Sequence, residues 1–193
     1  MAGKRIAAVL VVTALSLLGG LVSAGSADAA ARQDFRAQAS AAGLTADQAA
    51  ALQAKADRYL ATTGGKQIAP NKIDVNGTAT ILLTVPGEQK ARSLSPATTA
   101  EWDPCFYGEQ HAKDGYFCAY SDHWYMGDAI EMYNCGRYSL PNWTGIGSWI
   151  NAQTPGTRAR FYGKSGNLLY TTPAPDSFLD EYNWGPIWSI VNC

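Results

Sequence analysis

The sequence predicts an all-β C-terminal domain, a sandwich stapled by two disulfides, preceded by a small helix plus a β-hairpin. Three observations carry the prediction. From Trp102 onward, aromatic and β-branched residues come in short runs, and Gly, Asn, Asp and Pro punctuate them roughly every 8–12 residues, the rhythm of a sandwich or barrel. All four cysteines, Cys105, Cys118, Cys135 and Cys193, and all six tryptophans lie in that half of the chain. The N-terminus carries an export pattern, and an even number of cysteines in an exported chain reads as a disulfide framework.

The elements follow in order. Lys4 and Arg5, an apolar run over 6–18 and a small-residue stretch over 24–31 with two overlapping A-x-A sites read as a signal peptide covering 1–30. The apolar run is shorter than the ~20 residues needed to span a bilayer, so no membrane association is expected after cleavage. Residues 31–87 read as a helix and a hairpin. Thr45 is placed to cap, Gln48 completes a capping box, and the alanine-rich stretch 46–61 continues the helix to Gly64-Gly65. Leu52, Ala56, Tyr59 and Leu60 share one face. Asn76-Gly77 between two β-prone runs marks a tight hairpin turn, and Pro86-Gly87 ends the second strand. This segment is too small for a good core of its own. Residues 88–101 read as a linker open to proteolysis, with Lys90 and Arg92 as cleavage points, and residues 31–87 as a candidate pro-region.

In the domain over 102–193 the candidate strands are 116–120, 130–134, 149–152, 158–162, 168–171 and 188–192, with Ser165-Gly166-Asn167 as a turn. A weak internal repeat runs through them. Tyr120 to Ser148 spans 28 positions and Tyr162 to Ser189 spans 27, which suggests two similar four-stranded units packed face to face. Four cysteines allow three pairings, and the sequence does not choose among them. The expectation taken forward is Cys105–Cys118, closing a local loop, and Cys135–Cys193, tying the last residue to the middle of the domain.

Charge and motif content narrow the function. Residues 31–99 hold eight Lys/Arg and five Asp/Glu, a net of +3; residues 100–193 hold five and ten, a net of −5. An acidic C-terminal half argues against a nucleic-acid partner. With no C-x-x-C pair and no paired histidines, no metal is expected, and no cofactor. There is no G-x-S-x-G elbow and no H-E-x-x-H, and His111 and His123 are the only histidines. His123, beside Asp122 and Asp128, reads as a solvated loop residue, and so do Asp176, Asp180 and Glu181. No catalytic residue is assigned, and the chain reads as a non-enzyme. Trp149 and Trp188, on closing strands, are expected in the core. Trp124, Trp143 and Trp184 sit beside glycine or polar turns and are the candidates for binding a partner.

Tyr120-Ser-Asp-His-Trp-Tyr125-Met-Gly127 has the form aromatic, four residues, aromatic, any, glycine, which resembles the βγ-crystallin signature. Gly115-Tyr-Phe-Cys118-Ala-Tyr120, Cys135-Gly136-Arg-Tyr138-Ser-Leu140, Ser148-Trp149-Ile150-Asn151, Arg160-Phe161-Tyr162 and Ser165-Gly166-Asn167-Leu168, closing on Cys193, together resemble peptidase inhibitor family 36, the Streptomyces metalloproteinase inhibitor type. The resemblance covers about residues 103–193. It implies a βγ-crystallin-like Greek-key sandwich with two disulfides, a positive φ at Gly127, and a secreted, monomeric protein that inhibits an extracellular protease, a metalloprotease in the type member, by binding. Thr144 and Gly185 stand where calcium-binding relatives carry acidic groups, so no strong calcium site is expected. No inhibitory residue is carried over; residues 121–128 and 173–182 are the candidate loops. A carbohydrate- or cell-wall-binding module and a small βγ-crystallin-type toxin are the alternative readings.

Overall fold

A computed structural model describes residues 24–94, 103–106 and 112–193, with side chains from residue 31. The charged and apolar parts of the candidate signal, residues 95–101 of the expected linker, and His111 lie outside the described residues. The described residues are mostly β, with two α-helices ahead of eleven short strands and one 3-10 turn at Pro104–Phe106.

Helix α1 (Ala24–Ala41) starts inside the small-residue stretch, where the sequence reading places no helix. Its alanines explain it. Helix α2 (Ala46–Thr63) begins at the expected capping box: Thr45 Oγ1 accepts the Gln48 amide at 3.2 Å, and Gln48 Oε1 accepts the Thr45 amide at 3.0 Å. It stops at Gly64, whose positive φ of 70° a side chain resists. The face it buries carries Leu52, Ala56 and Tyr59, three of the four residues expected there, with Leu60 partly buried. Strands β1 (Lys66–Ala69), β2 (Lys72–Val75) and β3 (Ala79–Leu82) follow. Asn76 and Gly77, at φ 54° and 69°, form the tight turn joining β2 to β3.

The C-terminal strands are β4 (Tyr116–Asp122), β5 (Met126–Met132), β6 (Arg137–Ser139), β7 (Ile146–Ala152), β8 (Arg160–Tyr162), β9 (Leu168–Thr171), β10 (Ser177–Asn183) and β11 (Ser189–Val191). They build two antiparallel sheets, ordered β1-β2-β3-β5-β4-β7-β10 and β6-β11-β8-β9. Each run of four, β4–β7 and β8–β11, keeps three strands in one sheet and gives its third strand to the other: β6 pairs with β11, and β10 with β7. Phe117 and Trp149 from the larger sheet meet Phe161 of the smaller one between the layers, with Tyr170 against Trp149 and Tyr182 of β10 against Phe161. Cys105 is bonded to Cys118 and Cys135 to Cys193, with Cα atoms 5.6 and 5.5 Å apart, and no described cysteine is free.

The N-terminal segment docks as part of this assembly. β3 pairs with β5 from Ala79–Met132 to Leu82–Ala129, so hairpin and C-terminal strands share one sheet. Asp128 of β5 accepts bonds from Lys55 Nζ and the Tyr59 hydroxyl of α2 and, at 2.8 Å each, from the Thr84 amide and hydroxyl. Trp143 Nε1 donates to the Tyr59 oxygen at 2.9 Å. Burial and the facing Asp128 carboxylate push the Tyr59 hydroxyl well above its ordinary pKa, which keeps it a donor. The described part of the expected linker is also tied down. Ala91 and Leu94 are buried, Asn71 Nδ2 donates to the Arg92 carbonyl at 2.7 Å, and the Gly127 backbone amide donates to the Gln89 carbonyl at 2.7 Å. Lys90 and Arg92 themselves are exposed.

Candidate functional site

The candidate loop 121–128 is mostly strand. Only His123, Trp124 and Tyr125 turn between β4 and β5, and they do so in an unusual way. Trp124 and Tyr125 have φ of 57° and 58°, the left-handed region that costs a bulky residue of order 1–3 kcal/mol. Such a conformation persists only where its surroundings impose it, and here they do. The Trp124 amide donates to the Asp180 carbonyl of β10 at 3.0 Å. The Tyr125 amide donates to Ser148 Oγ at 2.9 Å, and that hydroxyl donates to the Asp122 carbonyl at 2.8 Å. The Tyr125 hydroxyl donates to the Asp180 carboxylate. Burial, then that carboxylate, raises the Tyr125 pKa, so the bond holds through the neutral range. Gly127 follows at φ 80°, as the glycine of the aromatic motif requires, and a Cβ there would lie 2.2 Å from Ser121 Oγ.

The braced turn aims Trp124 outward, 47% exposed, while Tyr125 is buried beneath it against Tyr120. Phe178 of β10, 52% exposed, meets the Tyr125 ring edge-on at 6.4 Å. β10 pairs only with β7, so its outer side is a free sheet edge. An indole, a phenyl ring and unpaired backbone groups thus share one corner, fixed from both sides. A rigid aromatic side chain of this kind has little conformational entropy left to lose on contact with another surface.

Of the three tryptophans expected to face a partner, Trp124 does so, and Trp143 and Trp184 require correction. Trp143 is buried against Trp184 with its Nε1–H on Tyr59. Trp184 is fully buried, and its Nε1–H donates to the Tyr120 carbonyl at 2.8 Å. The flanking glycines that suggested surface turns have other reasons; a Cβ on Gly147 would sit 2.1 Å from Trp184 Nε1. Trp149 is in the core, but Trp188 is 45% exposed, with Lys164 Nζ 4.8 Å from its ring centroid.

The expected loop at 173–182 is replaced from Ser177 onward by β10. Its acidic residues diverge: Asp180 serves Tyr125, Glu181 is exposed, and Asp176 lines a groove of about 380 Å³ with Asp114, Gln153 and Pro155. His123 is half exposed, its Nδ1 2.7 Å from Asp122 Oδ1. Among the described residues no cluster of three or more His, Cys, Asp or Glu could hold a metal ion, and no helix is long and apolar enough to cross a membrane. The two disulfides suit an oxidising compartment.

Sequence reasoning missed Phe178, Asp180 and Ser148 as parts of this corner. Ser148 was visible only as a repeat position, and nothing local in 177–183 announces an exchanged edge strand. Set against known proteins, the chain matches no family model, no curated protein and no solved structure.

Proposed function

We propose that this chain is a secreted inhibitor-type protein of the metalloproteinase-inhibitor kind, built on a βγ-crystallin-like Greek-key sandwich and acting by binding without catalysis. The exchange of β6 and β10 between sheets supports the fold reading, because interlocked four-strand Greek keys leave their third strands in the opposite layer. The export pattern and disulfides support secretion.

The observation that carries the binding function is the strained, braced turn at Trp124 beside the free β10 edge. Strain held by surrounding contacts is preorganisation, and an exposed Trp on a rigid turn is an anchor for a protease cleft. The open edge is suited to pair with an extended segment of the partner. Titration of the disulfide-bonded protein against a thermolysin-like metallopeptidase is expected to give stoichiometric inhibition. Trp124→Ala is expected to weaken it at least tenfold, about 1.4 kcal/mol or more, without moving the melting temperature. Absence of inhibition, or equal inhibition by Trp124→Ala, would refute the proposal.

A further inference from the structure

The smaller sheet has a charge pattern unlike the rest of the chain. From Tyr133 to Pro175 there is no Asp or Glu but four cations, Arg137, Arg158, Arg160 and Lys164, and residues 182–193 carry no charged side chain. Strands β6, β8, β9 and β11 lie wholly inside these two stretches, so this sheet is purely cationic on a chain whose net charge is −1. Among the described residues none of the four cations forms an ion pair with an Asp or Glu side chain.

The register fixes where two of them point. Tyr138, Ile190, Phe161 and Tyr170 form one row across the sheet and face the core. Side chains alternate along a strand, so the neighbouring rows face outward. One is Arg137–Val191–Arg160–Thr171, the other Ser139–Ser189–Tyr162–Leu168. Arg137 donates to Ser189 Oγ at 2.7 Å and lies 4.2 Å from the Tyr162 ring centroid, and Arg160 donates to the Cys193 carbonyl. Both guanidiniums are thereby positioned: Arg160 rests on the main-chain oxygen of Cys193, the last residue, and Arg137 has only a hydroxyl and an aromatic ring as partners. Lys164 extends the cationic surface beyond β8, over Trp188, whose amide donates to the Tyr162 carbonyl at 2.8 Å.

We infer that this outer face binds an acidic polysaccharide, with Arg137 and Arg160 each holding a carboxylate or sulfate. One strand separates them, which places their backbones about 10 Å apart at the usual strand spacing, comparable to a disaccharide repeat. Ser139, Ser189 and Thr171 between and beside them supply hydroxyl partners for sugar hydroxyls. This face is separate from the Trp124 corner and does not depend on the inhibitor reading.

The test uses the full disulfide-bonded protein and hyaluronan oligosaccharides, which carry one carboxylate per disaccharide, with neutral dextran and single-stranded DNA as comparators. Calorimetry is expected to show hyaluronan binding that weakens with salt, no dextran binding, and weaker binding to DNA. Arg137→Gln with Arg160→Gln should weaken it at least tenfold. Lys66→Gln with Lys90→Gln, the same charge loss on exposed positions outside this sheet, should leave it unchanged. Lys164→Gln, in an exposed turn, should weaken it at least threefold and decides the matter if the double Arg variant misfolds. No hyaluronan binding, equal or tighter DNA binding, or equal losses from both double variants would overturn the inference. Metallopeptidase inhibition, read separately, should be unchanged in the Arg variant.

Discussion

Glu131 offers the sharpest test of the packing between hairpin and sandwich. It sits on β5, opposite Thr80 of β3 and Cys118 of β4, with its side chain 3% exposed and Oε1 without a hydrogen-bond partner among the described residues. Burial and then the nearby Asp103 raise its pKa from 4.5 to about 7, against Lys72 and the Cys105 amide, which lower it. A pKa raised in the folded state means that folding favours the protonated acid. That stabilisation is fully present below pH 4.5, and it is lost as pH rises through about 7. At about 1.4 kcal/mol per pKa unit the loss is about 3 kcal/mol. Glu131→Gln mimics the protonated acid. In urea unfolding followed by tryptophan fluorescence it is expected to exceed the parent by about 3 kcal/mol at pH 8, and the gap should shrink to less than about 1 kcal/mol at pH 5. An equal gap at both pH values, or a variant less stable at pH 8, would refute the reasoning.

Gly147→Ala places a Cβ 2.1 Å from Trp184 Nε1 and 2.3 Å from the Tyr120 carbonyl, breaking the bond between them; a loss of about 2–4 kcal/mol in chemical denaturation is expected. Asp128→Ala strips Lys55, Tyr59 and Thr84 of their shared acceptor and should cost about 3 kcal/mol or more, read as one cooperative transition for hairpin and sandwich together. Trypsin should nick the exposed Lys90 or Arg92, yet the N-terminal fragment should co-elute with the sandwich on native gel filtration, because β3 remains paired with β5; separate elution would show that residues 31–87 are releasable.

Much of this was legible because it is local. The Thr45–Gln48 capping box, the Asn76-Gly77 turn and strand β9 each depend on a few adjacent residues, and each stands where the sequence puts it. The indole environments were not legible. Trp143 and Trp184 sit beside turn residues, but they lie in the connections that carry the chain between the two sheets and are buried there, while Trp188, just before β11, is exposed. Burial is decided by which sheet a neighbouring strand joins, and exchange is a long-range choice. β10 was hidden for the same reason. As an edge strand with Asp180 and Glu181 in it, it has the composition of a solvated loop.

The two edges of the larger sheet are guarded differently. β1 is four residues long, carries Lys66 and is bulged between Gln67 and Ala69, which are the usual defences against unwanted strand pairing. The inner edge of β5, which would otherwise lie open, is covered by β3 and locked by Asp128. β10 also has a bulge, between Leu179 and Tyr182, and acidic residues beside it, so its second half repels indiscriminate pairing. Its first half does not: Phe178 and Leu179 are exposed there, next to a turn whose strain is spent on holding Trp124 in solvent. Ile68 of β1 is as exposed as these two, but it lies beside a bulge on a four-residue strand, whereas Phe178 and Leu179 flank the braced turn. Loss of the N-terminal segment would uncover the edge of β5 that β3 now pairs, giving the sheet a further open edge.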